Sequence, residues 1–191
     1  ADARIWLAHA DSSRPRASPV AEAALLAIEG EILAAEGRDD DALGPRQAAL
    51  ARLQAHHPAG HPDILRARMT LAAGLGDTDR VAESREHYAR LFAELTAQYG
   101  PDHPWPARAE LNLGLDLVDL EEFAQARVHL EHARRVIVAT YGPVHRSVAT
   151  IDVGLAQVEA AEGRLAQAIA RGEQALAGYD ATVPRAHASR V

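Results

Sequence analysis

The sequence predicts an all-α fold of stacked helix hairpins, and three observations lead to this prediction. A segment of 42 residues recurs along the chain. Within each copy, apolar residues are spaced three or four positions apart, which is the period of an amphipathic helix. Pro and Gly stand where helices are expected to begin and end. Because a single hairpin cannot bury its own apolar face, successive copies are expected to stack as an α-solenoid.

The period of 42 residues is clearest in the histidines, which stand at His61, His103, His145 and His187. Small residues recur with the same spacing at Ala42, Ser84, Ala126 and Ala168. A small residue at a helix crossing lets two backbones approach closely, so these positions are expected to lie between paired helices. Candidate turn residues follow the same period at Gly37, Asp79, Glu121 and Gly163. Four copies of the repeat are therefore predicted.

Each copy is predicted to contain two helices. In the third copy Leu111, Leu115 and Val118 follow the i, i+4, i+7 spacing of one helical face. Pro62 and Pro104 each follow a histidine, and Pro is favoured at the first position of a helix because the missing amide has no partner there. The predicted helices cover residues 19–35, 39–55, 62–75, 79–98, 104–118, 122–140, 146–160 and 164–180.

The copies define the predicted domain organisation. Four hairpins are assigned to residues 19–60, 61–102, 103–144 and 145–184. Residues 1–18 are interpreted as the tail of a preceding partial repeat with a linker, and residues 185–191 as the start of a truncated further repeat. Because the chain begins with Ala and shows no leader pattern, we expect it to be a segment of a longer polypeptide with further attached domains.

Composition excludes several classes of function. The formal net charge of -7 argues against nucleic-acid binding, because phosphate contacts need a basic surface. The chain has no Cys, which excludes disulfides and thiolate metal sites. Its apolar stretches are too short to span a bilayer, so no membrane insertion is expected. All basic residues are Arg, a bias typical of GC-rich bacterial genomes. We expect a cytoplasmic location, with the periplasm as the open alternative.

A family resemblance is carried by four motifs of the third copy, which are HP at 103–104, LNLG at 111–114, EFAQA at 122–126 and YGP at 141–143. These motifs resemble the tetratricopeptide repeats of kinesin-light-chain type, over roughly residues 19–180 and most strongly over 61–180. The resemblance implies a right-handed superhelix of about four antiparallel hairpins. Two acidic residues depart from the pattern, since Glu29 and Glu159 stand where the other copies have Leu.

The resemblance also implies a binding surface. In this family the first helix of each repeat lines a concave groove, and a basic residue and an Asn four positions apart hold a peptide. These positions are Arg108 and Asn112 in the third copy, Arg66 and Thr70 in the second, and Thr150 and Gly154 in the fourth, so the full pair occurs only in the third copy. The groove floor is assigned to Met69, Leu111, Leu115 and Gln157. The implied function is a protein–protein interaction module, which serves as the scaffold or regulatory part of a larger bacterial signalling protein.

No catalytic site, cofactor or metal site is predicted. Histidine pairs occur at 56–57 and 129–132, yet no metal-binding motif such as HExxH surrounds them. Acidic runs such as 39–41 stand at predicted helix starts, where the helix dipole favours negative charge. Two alternatives to peptide binding remain at this point. One is a regulatory domain that senses a small ligand, and the other is a self-associating scaffold.

Overall fold

The structure, a computed structural model, describes residues 18–182, and this part of the chain is helical without any strand. Its eight helices are α1 (Pro19–Ala35), α2 (Asp39–His56), α3 (Pro62–Asp77), α4 (Val81–Tyr99), α5 (Pro104–Asp119), α6 (Phe123–Tyr141), α7 (Arg146–Ala161) and α8 (Leu165–Thr182). The predicted all-α class is confirmed, and each helix agrees with its predicted range to within a few residues. The interpretations of residues 1–17 and 185–191 lie outside the described residues.

Three of the repeated histidines, His61, His103 and His145, form the N-caps of α3, α5 and α7. The Nδ1 atoms of His61, His103 and His145 each accept a hydrogen bond of 3.2 Å from the backbone amide two residues further on. Such a bond satisfies one of the amides that the first helical turn leaves without a partner. The same rings stack on an aromatic residue four positions earlier, with centroid distances of 4.8 Å for the pairs that contain Tyr99 and Tyr141. The recurring histidine therefore has a structural role in the second, third and fourth copies, whereas Ser18 caps the first helix of the first copy.

The turn inside each hairpin has left-handed backbone geometry, as its periodic residues indicate. Gly37 and Gly163 have φ angles of 74° and 79°. Asp79 and Glu121 adopt similar angles of 56° and 59° in the middle copies, although side chains disfavour this region. A residue with left-handed backbone geometry therefore recurs at the 42-residue spacing in all four copies.

Contacts divide the described chain into two compact units, with the boundary inside α4 between His87 and Tyr88. In the first unit α2 packs against both α1 and α3. In the second unit α5 packs on α6, α6 on α7 and α7 on α8. Within each unit these helices therefore pack mainly on their neighbours in the sequence, which is the contact pattern of a repeat solenoid.

Small residues line the closest helix contacts, in agreement with the repeat pattern. Ala42, Ser84 and Ala126 are fully buried. In the second unit Leu130 of α6 is also fully buried, and it packs against two glycines. A Cβ atom added to Gly114 of α5 would lie 2.7 Å from Leu130 Cδ2, and one added to Gly154 of α7 would lie 3.1 Å from Leu130 Cδ1. The glycines thus make room for one leucine between three helices.

No helix in residues 18–182 combines the length and the hydrophobicity that crossing a bilayer requires.

Candidate functional site

The predicted pair of the second copy lies on α3 in the first unit. Arg66 is well exposed, and its Nη2 donates a hydrogen bond of 2.5 Å to Oδ1 of Asp63. Thr70 is half-buried, and its hydroxyl donates to the carbonyl oxygen of Arg66 at 3.1 Å. Since both side chains already have partners within their own helix, a ligand would have to share or replace these bonds.

The predicted pair of the third copy lies on α5 in the second unit. Arg108 is exposed, and its guanidinium lies over the indole of Trp105, 5.7 Å from the ring centroid. A cation over an aromatic face is attracted by the ring quadrupole, which orients the side chain. Asn112 is half-buried, and its Nδ2 donates to the carbonyl oxygen of Arg108 at 3.1 Å. Arg108 and Asn112 therefore form one polar surface, one helical turn apart.

The remaining groove residues differ in exposure. Met69 and Leu111 are buried, so they belong mainly to the cores of their units. Leu115 is half-buried and packs towards Gly154, where an added Cβ would lie 2.8 Å from Leu115 Cδ2. Gln157 is exposed beside an apolar hollow between α7 and α8. The accessible part of the predicted site thus consists of the two pairs on α3 and α5, together with Leu115 and Gln157 of the groove floor.

The first unit contains a cavity of about 130 Å³ between α1, α2 and α3. Its apolar wall includes Ala23, Ala27, Ala49, Leu53 and Ala67. Arg66 and Thr70, both predicted site residues, line it from α3. Arg46 lines it from α2, and sequence reasoning did not select this residue. The lining therefore combines small apolar side chains with two arginines and with the acidic residues Glu31 and Asp63.

One group of possible metal ligands occurs within residues 18–182, formed by His57, His61 and Asp63. The rings of His57 and His61 stack in parallel, with centroids 3.8 Å apart and an angle of 12° between the planes. An ion is bound in the plane of an imidazole, so two stacked rings cannot both direct a nitrogen at it with good geometry. The stack occupies the same repeat position as the pairs of Tyr99 and Tyr141 with their histidines. We therefore interpret it as the structural stack of the repeat.

The histidine pair at 129 and 132 binds a buried carboxylate. Nδ1 of His129 lies 3.1 Å from Oε1 of Glu110, and Nδ1 of His132 lies 2.5 Å from Oε2. Glu110 is buried on α5, and both imidazoles come from α6. The two imidazoles can donate one hydrogen bond to each carboxylate oxygen, which gives the buried group the partners that it needs. The pair therefore joins the two helices of a hairpin.

A second buried ionic cluster joins α6, α7 and α8. Glu159 accepts hydrogen bonds from Nε and Nη2 of Arg171, at 3.0 and 2.7 Å. Asp152 accepts from Nη1 of Arg171 at 3.1 Å and from Nε of Arg134 at 2.8 Å. The hydrogen bonds from Arg171 hold the pKa of Glu159 below its usual value, against the opposing effect of burial. This pairing explains how Glu159 occupies a position that is Leu in the other copies.

Several polar residues of the core were missed by sequence reasoning. Glu110, Asp152 and Arg46 are buried, yet none belongs to a motif. One signal was present, since the 42-residue register aligns Arg46 with Tyr88 and Leu130, both core residues. A charged residue in a core register position indicates either a buried partner or a ligand.

Comparison with known proteins supports the repeat assignment. A sequence model described as tetratricopeptide repeat matches residues 63–136 and 107–181. The crystal structure of BtubC (BKLC) from P. vanneervenii is similar, with a TM-score of 0.73 and 19% identity, over 96% of this chain and 73% of that one. No curated protein sequence gives a significant match.

A second solved structure is the Podosopora anserina putative kinesin light chain with nearly identical TPR-like repeats. It has a TM-score of 0.69 and 20% identity, over 91% of this chain and 82% of that one. A further crystal structure of these repeats, from a point variant, gives a TM-score of 0.68 at 18% identity. At this level of identity the likeness shows the fold, and it confirms the resemblance to repeats of kinesin-light-chain type. Because the matched segments together cover more than half of its length, the chain belongs to the tetratricopeptide repeat family.

Proposed function

We propose that this chain holds a peptide or protein partner on the first helices of its repeats, as the scaffold or regulatory part of a larger bacterial signalling protein. Tetratricopeptide repeats generally mediate protein–protein interaction, and their fold is typically non-catalytic. We accordingly propose a cytoplasmic interaction module without catalysis, cofactor or nucleic-acid binding in this segment. Any enzymatic activity would belong to an attached domain.

The pair formed by Arg108 and Asn112 is the observation that carries this proposal. Within the described residues the Arg108 guanidinium has an aromatic neighbour but no carboxylate partner. It can therefore offer its planar fork of donors to a carboxylate of a partner. The Asn112 amide uses one N–H within the helix and keeps its oxygen for a backbone amide of a peptide. Arg66 is the weaker anchor, because Asp63 already binds it.

We expect the double variant Arg108→Ala, Asn112→Ala to bind a partner peptide about 2–4 kcal/mol more weakly than the wild type. The loss corresponds to one charge-assisted hydrogen bond and one or two neutral ones. Both side chains lie on the surface side of α5, so the fold is expected to stay intact. The measurement is calorimetric titration of a peptide from a partner identified by affinity capture, with circular dichroism as the folding control.

A matched control is Arg135→Ala, which removes an exposed Arg from α6, a second helix of the same unit. This variant is expected to bind the peptide as tightly as the wild type. If the double variant and the control bound with equal affinity, the binding surface would lie elsewhere, and the groove assignment would have to be withdrawn.

The alternative of a small-ligand sensor calls for an enclosed pocket of at least about 300 Å³. The cavity of the first unit, at about 130 Å³, is smaller than this, and the larger hollows of about 430 and 360 Å³ in the second unit lie open to solvent. It suits one functional group of a larger ligand better than an entire small molecule. This observation favours a peptide partner.

Self-association is a second candidate function, and one observation favours it. Leu165, Ile169 and Leu176 of α8 are all more than half exposed, and the first two line an apolar hollow with α7. Ala168 in the same helix is only half-buried, whereas Ala42 and Ala126 at the same repeat position are fully buried. A second copy of the chain that packed on this face would bury apolar side chains that now meet water.

If self-association occurs there, the wild-type chain should form larger species as its concentration rises, and Ile169→Glu should abolish them. Sedimentation velocity at several concentrations measures this, with Val128→Glu on the exposed face of α6 as the matched control. A monomer at all concentrations would exclude this function, and it would leave the peptide-binding proposal unaffected.

A further inference from the structure

The apolar hollow between α7 and α8 lies where the third copy receives the first helix of the next repeat. In the third copy α7 packs on α6, and a Cβ added to Gly154 of α7 would lie 3.1 Å from Leu130 Cδ1. One repeat later the equivalent of Leu130 is Gly172, which lines the hollow. Leu165 and Ile169, also part of the lining, are 62% and 64% exposed. The hollow thus corresponds to the seat of a further first helix, and its apolar side chains meet solvent.

The first helix of the first copy, α1, has an apolar face that is only partly covered. Leu25 and Ile32 of α1 are half-buried, whereas Ile151 and Val158 at the same repeat positions of α7 are fully buried. Ile28 of α1 is 47% exposed, and it occupies the repeat position at which α7 contacts α6. The described chain therefore contains both an open seat for a first helix and a first helix with an open apolar face.

These two surfaces are complementary in size at one pair of repeat positions. Inside the second unit this pair is Leu130 of α6 with Gly154 of α7, so a large side chain faces a glycine. On the two open surfaces the same positions hold Gly172 of α8 and Ile28 of α1. The large and the small residue have exchanged sides. Ile28 would therefore fill the space that Gly172 leaves, as close packing at a helix crossing requires.

A second pair of positions is complementary in polarity. Nε of Arg134 on α6 donates a hydrogen bond of 2.8 Å to Asp152 on α7. The same repeat positions on the open surfaces hold Leu176 of α8, which is 63% exposed, and Leu26 of α1, which is half-buried. Both members of the ion pair are thus leucine, and two leucines can pack where a leucine facing a buried charge could not. Matched changes on both sides indicate that the two surfaces fit each other and continue the interface between α6 and α7.

We propose that a second copy of this chain docks its α1 into the hollow between α7 and α8, and that copies associate head to tail in this way. Ile28 of the second copy lies against Gly172, and its Leu26 lies against Leu176. This inference rests on the self-association proposed above, and it names the surface that the second copy contributes. Because the contact joins two different surfaces, each copy keeps one of them open and can add a further copy.

Sedimentation velocity of two variants, alone and mixed, tests this proposal. Ile28→Glu changes only the surface of α1, and Ile169→Glu changes only the surface of α8. We expect each variant alone to be a monomer at concentrations at which the wild type forms larger species. An equimolar mixture should form a species of two copies and nothing larger, because one variant keeps its hollow and the other keeps its α1. Val128→Glu on the exposed face of α6 is the matched control, and it should associate like the wild type.

Several results would overturn the docking of α1. If Ile28→Glu associated like the wild type while Ile169→Glu did not, α8 would pair with another surface, and self-association alone would stand. If the wild type were a monomer at all concentrations, self-association and the docking of α1 would both be excluded. A mixture of the two variants that stayed monomeric would contradict a contact between different surfaces. If Ile28→Glu lowered the melting temperature of the monomer and Val128→Glu did not, α1 would be covered within its own chain.

A pair of charge substitutions tests the register of the contact independently. Leu176→Arg or Leu26→Asp alone would bury an unpaired charge, so each should weaken association at least about tenfold. Both changes in one chain should restore association, because they reproduce the pair of Arg134 and Asp152 across the contact. Circular dichroism confirms that each variant is folded. A folded double variant that associated no better than the single variants would contradict the assigned register.

Discussion

Arg171→Met is expected to lower the free energy of unfolding by about 3 kcal/mol or more, since it leaves a buried carboxylate without its partner. Glu159 is buried, and Arg171 donates hydrogen bonds to both of its carboxylate oxygens. Asp152 keeps a second partner in Arg134 and should be affected less. Urea unfolding followed by circular dichroism measures the change.

The control for this variant is Arg164→Met, which removes an exposed Arg that pairs with Glu162. Salt bridges on the surface contribute little to stability, so we expect the free energy of unfolding to change by less than about 1 kcal/mol. The double variant Glu159→Leu, Arg171→Met restores the residue found at Leu75 and Leu117 and should recover most of the lost stability. If Arg171→Met and Arg164→Met had equal effects, the buried pair would not contribute to stability.

The same pair should make stability depend on pH. Hydrogen bonds from Arg171 hold the pKa of Glu159 below its ordinary value of 4.5 in the folded state. A carboxyl group with a lowered folded-state pKa stabilises the fold above its unfolded-state pKa, and this contribution is lost as the pH falls through the folded-state value. Urea midpoints of the wild type should therefore decrease in acid below about pH 4.5. In Arg171→Met this contribution of Glu159 to the decrease should be absent.

Leu130→Ala is expected to lower the free energy of unfolding by about 2–5 kcal/mol. Leu130 is fully buried in α6 and contacts Gly114 and Gly154, whose lack of side chains leaves nothing to fill the resulting space. Val128→Ala is the matched control on the same helix, since Val128 is 66% exposed, and it should change stability by less than about 0.5 kcal/mol. Chemical denaturation of both variants gives the comparison.

A double-mutant cycle with Gly114→Ala sharpens this prediction. In a chain that keeps Leu130, the Cβ added by Gly114→Ala would collide with this leucine. The substitution should therefore lower the free energy of unfolding by about 1–3 kcal/mol. In the Leu130→Ala background the space is open, so the same substitution should be neutral or stabilising. Additive effects of the two changes would show that the two side chains do not meet, contrary to the structure.

Much of the fold could be predicted from the sequence because its signals are local and recur in several copies. The positions of Pro62 and Pro104, the turn at Gly37 and the small residue Ala126 each report a constraint within one hairpin. Because the same signal occurs in several copies, each copy supports the assignment of helix starts and turns in the others. For this reason the helix bounds differ from their predicted ranges by only a few residues.

The candidate site could be predicted only in part. Helical spacing placed Arg108 and Asn112 one turn apart, because that distance depends on a single helix. The same argument assigned Met69 and Leu111 to the groove floor, and it could not show that both are largely covered by packing. Exposure depends on which neighbouring helix covers a given face, and one helix alone does not contain this information.

By itself, then, the sequence determined the helical class, the 42-residue repeat and the register of capping, turn and crossing residues. These features follow from backbone geometry and from interactions within about one turn of helix. Only the tertiary structure decided where buried charges find partners. Glu159 meets Arg171 on the next helix, whereas Nε and Nη1 of Arg46 are buried without a hydrogen bond among the residues that the structure describes. The physical reason is that a buried charge is stabilised by groups brought together through packing, and their separation in sequence does not indicate their distance in space.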